Sequence, residues 1–273
     1  MQIGFIGLGL LTAIARATSV IQRNVSSRIK LTTGRSCSMP LRSAEPWAIF
    51  EPAKGAEPVT GLFLSIGAGP GIGFSTARRF ATEGFRVVLA ARTVARLEVL
   101  AKGLRRESNA GVEIASVDCS DSLQVADLVG RYAPELEVIH YNAAVIRSLT
   151  LQEQSLASIA ADIEVNIASA LVAVKQAAEA MVVRRRGSIL LTGGILGLKP
   201  VSNLLTLSVG KAGLRCAAEA LFPSFAAQGV HIAVLTIGTG VAPGSKRAEA
   251  VGDAFWRLHA QPRDQWVWEA SYG

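Results

Sequence analysis

The chain has 273 residues, of which half are hydrophobic and 18% charged, enough apolar material for one sizeable core. No run approaches the roughly 18 uninterrupted apolar residues of a membrane-spanning helix, so no membrane partner is expected. Three widely spaced cysteines (Cys37, Cys119, Cys216) exclude a disulfide framework or a zinc site and point to a reducing compartment. The net charge of +7 suggests nucleic acid only until it is located: six of the 28 basic residues lie in residues 1–44, which have no acid, leaving 22 against 21 acidic residues. The body is nearly neutral, and no nucleic-acid partner is expected.

Arg- and Ser-bearing, acid-free residues 1–44 have the composition of a mitochondrial or plastid transit peptide. Met1–Ala15 is also apolar enough to imitate a signal-peptide core, although no positive charges precede it, and a mis-assigned start codon or a disordered leader is a third reading; the location expected without targeting is cytoplasmic. Gly4-Phe5-Ile6-Gly7-Leu8-Gly9 imitates a dinucleotide fingerprint but lacks a correctly spaced third glycine, and no acidic residue follows before Glu45. Pro40, Pro46 and Pro52 mark a linker. The expected organisation is an N-terminal extension over residues 1–57 and one domain over residues 58–273.

The most informative segment is Gly67-Ala68-Gly69-Pro70-Gly71-Ile72-Gly73, between a strand-like run, Val59–Ile66, and a helix-like stretch, Ile72–Gly84. Strand, glycine turn and helix start together hold a pyrophosphate: glycines let the backbone approach, and the helix N-terminus offers free N–H groups and partial positive charge. The spacing is G-x-x-x-G-x-G, on Gly67, Gly71 and Gly73, with Gly69 and Ile72 in the same cradle.

Further strand-like runs follow at Arg86–Ala91, Val112–Val117, Leu136–Asn142, Ser188–Thr192 and His231–Ile237. Helix-like stretches alternate with them at Val94–Arg106, Ser122–Tyr132, Leu156–Arg184 and Leu207–Gln228. This alternation predicts a Rossmann-type doubly wound parallel sheet, a three-layer α/β/α sandwich with ligands at the carboxyl ends of the strands. After the second strand stands Arg92 rather than a carboxylate, which suits a 2′-phosphate and favours NADP over NAD. Asp118, closing the third strand, is placed to accept from an adenine amino group, or to join Ser120 and Asp121 as a helix cap.

These markers, in this order over about residues 60–245, make the chain resemble a short-chain dehydrogenase/reductase. Gly67, Gly71 and Gly73 match the family's glycine motif, and Asp118 its aspartate at the third strand. Tyr141-Asn142-Ala143-Ala144 matches a motif that is usually Asn-Asn-Ala-Gly, Asn166 the helix asparagine that supports a proton-relay water, and Lys211 the lysine of Tyr-x-x-x-Lys. The resemblance implies hydride transfer with NADP, a cofactor-side role for Asn142 and Lys211, and a homodimer or homotetramer. The family's proton-carrying tyrosine is replaced by Leu207, and the serine thirteen residues earlier by Gly194. No tyrosine stands between Tyr141 and Tyr272, so no shift of register restores one.

Candidates for catalysis are therefore Lys211, Asn166 and, as a relocated acid at a strand end, Tyr141. Thr192 and Ser208 are weaker, because a hydroxyl without a base orients but does not readily exchange protons. His140 should point to the opposite strand face from Tyr141. Residues 255–269 hold Trp256, Trp266 and Trp268 and are expected either to wall an apolar substrate pocket or to seal a sheet edge or dimer contact. Two readings follow: an NADP-linked oxidoreductase with a non-standard active site acting on an unknown carbonyl or alcohol, or a catalytically silent NADP-binding sensor.

Overall fold

The computed structural model describes residues 61–273, so the readings made for residues 1–60, including the boundary at 57/58, lie outside the described residues. The elements run β1 (Leu62–Ile66), α1 (Ile72–Thr82), β2 (Arg86–Ala91), α2 (Val94–Glu107), β3 (Val112–Ser116), α3 (Ser122–Tyr132) and β4 (Leu136–Tyr141). They continue through α4 (Leu156–Ile163), α5 (Ser169–Arg184), β5 (Ser188–Thr192), α6 (Leu205–Ala227), β6 (His231–Ile237), α7 (Lys246–His259) and β7 (Glu269–Tyr272).

All seven strands are parallel, in the order β3-β2-β1-β4-β5-β6-β7. Strands β1, β5 and β6 are buried along their whole length, as a parallel sheet covered on both faces requires. One face packs against α1, α2 and α7, where Phe63 stacks on Phe80 at 4.2 Å and Phe255 is fully buried. The other packs against α3, α5 and α6 through Ile139, Ala173, Ala177, Leu214 and Ala218. The chain runs outward from β1 to β3, then returns to place β4 on the other side of β1. This switch point opens a crevice between the carboxyl ends of β1 and β4.

Two features differ from the sequence reading. The helix expected over Leu156–Arg184 follows one path but is under-wound at its centre, where Glu164–Ala168 form a π turn. Its mean hydropathy of 1.6 and its 29 residues would suffice to cross a membrane by length and composition. Here it lies on the sheet, burying Ala170, Ala173, Val174, Ala177 and Met181. The C-terminal segment is the second difference, because α7 and a seventh strand were not expected. Trp256 packs edge-on against Phe80 and Phe85, Trp266 stacks on His231, and Arg215 lies over Trp268. None of the three lines the cleft, so the expected substrate wall gives way to the sheet-edge alternative.

Candidate functional site

At the switch point lies a cleft of about 520 Å³, lined by the glycine loop, the ends of β2 to β6 and the start of α6. Gly67 has φ +83°, and a Cβ there would stand 2.4 Å from the Ala143 nitrogen. A Cβ on Gly73 would meet the Gly67 carbonyl oxygen at 2.7 Å. These two glycines let the loop close on β4. Gly69 and Gly71 have open space where a Cβ would be, so their backbone is bare towards the cleft. Among the described residues, the N–H groups of Gly71, Ile72 and Gly73 have no hydrogen-bond partner, and α1 starts there without a side-chain cap. Three unpaired donors at a helix N-terminus fit an anionic group.

Asn142 ties the loop to the deep end of the cleft. Its Nδ2 donates to the Gly67 carbonyl at 2.8 Å, and its Oδ1 accepts from Thr192 Oγ1 at 3.0 Å. With that hydroxyl proton committed, the 2.9 Å contact between His140 Nε2 and Thr192 Oγ1 makes His140 the donor. Burial first, then the charge of Lys211, pushes His140 down to about 3, so it stays neutral. Lys211 Nζ donates to the Thr192 carbonyl at 2.6 Å, and burial pushes this amine down to about 8.

At the opposite end, Arg92, Thr93, Arg96 and Asp118 line the cleft. Asp118 Oδ1 accepts from the Ser120 N–H at 2.9 Å. That bond, more than the charge of Arg92, holds its carboxyl below the usual range. The cap of α3 is Asp121, which accepts from Leu123 N, so Asp118 is not the cap.

The acid candidates separate clearly. Tyr141 is 1% exposed, donates its hydroxyl to the Val165 carbonyl at 2.7 Å, and sits in the core on the α5 face. Burial raises its phenol further above the ordinary range. Alternation along β4 turns it away from the cleft and turns His140 towards Thr192, so the expectation of a relocated tyrosine acid is corrected. Asn166 lies in the π turn with both ends of its amide spent on the Val145 backbone, and it does not line the cleft. It clamps a wall rather than meeting a ligand. Leu207 and Lys211, one helical turn apart, both line the cleft. No tyrosine does.

The short chain dehydrogenase family model matches residues 62–250. The chain belongs to that family. An uncharacterized oxidoreductase of Staphylococcus saprophyticus is 27% identical over 203 residues, covering 72% of this chain and 84% of the relative. A 3-dehydrosphinganine reductase of Arabidopsis thaliana is 28% identical over 172 residues, covering 62% of this chain and 52% of that protein. A metagenomic short-chain oxidoreductase solved in complex with NADP superposes with a TM-score of 0.70 at 24% identity, covering 77% of this chain and 95% of the other.

The bare glycine backbone and the unpaired N–H groups fit the pyrophosphate of a dinucleotide such as the NADP in that complex. Reading from sequence missed Arg96, Thr239 and the apolar wall of Val145, Ile146 and Val241. Arg96 was legible, four residues after Arg92 and in the first turn of α2. The wall residues come from loops and carry no sequence signal.

Proposed function

We infer that this short-chain dehydrogenase binds NADP and reduces an apolar carbonyl compound, or oxidises the matching alcohol, with a non-standard active site. The observation that carries this reading is the convergence, in one cleft, of the Gly67–Gly73 cradle, the Arg92–Arg96 pair and Lys211. Gly71, Ile72 and Gly73 would receive the pyrophosphate, and Lys211 and Asn142 would hold the nicotinamide half. The two arginines would meet the 2′-phosphate, for which a planar fork of donors suits better than a single ammonium. When bound, the cofactor supplies a hydride. Leu207, Val145, Ile146 and Val241 exclude water and present an apolar wall to the substrate. Assembly as a homodimer or homotetramer is part of the same proposal; exposed Leu171 on α5 and Val209 on α6 are available to such a contact.

Leu207 and Gly194 favour a second reading, a cofactor-occupied protein without turnover, since neither side chain carries a proton. Calorimetric titration with NADPH and NADH, beside NADPH absorbance over a carbonyl panel that includes 3-dehydrosphinganine, separates the two. Micromolar NADPH binding with oxidation of NADPH supports the first reading, and binding without oxidation supports the second. Absence of binding to either nucleotide overturns both.

A further inference from the structure

The deep end of the cleft contains very few protons that can move. Thr192 spends its hydroxyl between His140 and Asn142. Ser208 Oγ donates back to the Leu204 carbonyl, and Thr206 donates to Asp162. Cys119 is pushed up to about 11 by burial, so its thiol stays closed to chemistry near neutrality. Tyr141 faces the core. Thr239 also lines the cleft, but a hydroxyl without a base orients a substrate and does not readily give up its proton. The Lys211 ammonium remains, with three N–H bonds of which one is spent on the Thr192 carbonyl. Among the described residues no carboxylate stands within ion-pair distance of it. Gly194 faces its stem, and a Cβ there would lie 3.7 Å from Lys211 Cγ. Where the family places a serine, the chain has no hydroxyl beside the lysine stem.

Building on the cofactor reading, we propose that Lys211 is itself the catalytic proton donor, passing an N–H proton from Nζ directly to the carbonyl oxygen of a substrate held against Leu207 and Val145. The bonds balance. A hydride from the bound reduced nicotinamide dinucleotide, the two-electron reductant, reaches the carbonyl carbon, and the C=O π pair moves to oxygen. That oxygen takes the proton from Nζ, giving the alcohol. Lys211 is left as a neutral amine and regains its proton from water.

An amine held near 8 donates far more readily at neutral pH than one at the ordinary ~10.4, because donor strength rises as pKa approaches the working pH. The groups around it do not compete. His140, from β4, is neutral. Asp162, on α4, is held by Arg147 and Thr206. Glu164 accepts from Ser169, and Asp118 lies at the adenosine end.

Two measurements on the full chain test this. In the first, the rate of acylation of Lys211 by acetic anhydride is followed against pH by peptide mass spectrometry, with and without NADPH. The expected midpoint is near 8, with protection by NADPH; an ordinary lysine midpoint overturns the proposal. In the second, Lys211→Arg keeps a cation that can donate to Thr192 but does not release its proton. Because Lys211 also stands at the cofactor, NADPH affinity is measured separately; at saturating NADPH, 2-decanone and 4-nitrobenzaldehyde reduction should fall by roughly 10²-fold or more, and the decline of rate above pH 8 should disappear. An unchanged rate and pH profile in Lys211→Arg, or no reduction of any carbonyl by wild type that binds NADPH, overturns it. Failure of wild type to bind NADPH shows instead that the cofactor reading is wrong, while the acylation midpoint still reports on the amine. The midpoint is measured on wild type, so it stands even where Lys211→Arg folds poorly.

Discussion

At the glycine-loop end of the cleft, recognition is built from backbone: a positive φ at Gly67, unpaired N–H groups at Gly71 to Gly73, and an amide strut from Asn142. At the Lys211 end it depends on side chains, and there Leu207 lines the cleft and Gly194 faces the lysine stem, neither with a proton to give. Backbone recognition needs several glycines together, because each closes a separate contact, so it shows in sequence as a pattern. Proton chemistry needs one atom in one place, so a single substitution removes it without disturbing the fold. The contrast teaches that a cradle built from backbone does not depend on which side chains stand at the other end of the cleft.

Acid tests the frame under both ends and should have the largest effect. His140 and His231 are buried and His259 is half-buried: desolvation holds His140 near 3 and His259 near 4, and lowers His231. A base whose folded pKa is depressed stabilises the fold fully above its unfolded value of ~6.5, and that stability drains as pH falls towards the folded values. His259 alone should account for about 3 kcal/mol lost between pH 6.5 and 4, read from urea unfolding at stepped pH. A flat profile there would mean that the histidines are hydrated.

Next is a pair of glycines in the loop. Gly67→Ala should cost about 1–3 kcal/mol from its positive φ alone, with its clash against Ala143 adding to that. Gly69→Ala, with open space around its Cβ, should leave stability within about 0.5 kcal/mol and yet weaken NADPH binding. Equal affinity for NADPH in Gly69→Ala would place the phosphates elsewhere.

At the other end, Leu207→Tyr returns a phenol one turn before Lys211. Carbonyl reduction should rise by about tenfold to 10²-fold, at or below the foot of the 10²–10⁴-fold range for general acid catalysis, because Lys211 already supplies a proton. A fall in rate would show Leu207 to be needed as substrate wall. The smallest effect belongs to the adenosine end, where Arg92→Ala should weaken NADPH by about tenfold (1.4 kcal/mol) and leave NADH unchanged. Equal loss for both nucleotides would remove the 2′-phosphate from the argument.

Much of this was legible in the sequence, for local reasons. Strand, glycine turn and helix follow one another along the chain, and β5 and β6 occur where their apolar runs predict them. The absence of a tyrosine between Tyr141 and Tyr272 is a fact of sequence alone. Tertiary structure decided what depends on direction. Tyr141 and Asn142 are neighbours, yet strand alternation sends one to the core and the other to the cleft. The tryptophans pack against Phe80, His231 and Arg215, because α7 and β7 extend the sheet away from the cleft. Lys211 gains its depressed pKa from burial in the fold, beside Thr192 and His140 from other elements, a property that spacing does not encode. Local order therefore set the cradle, and long-range packing set which side chain can move a proton beside it.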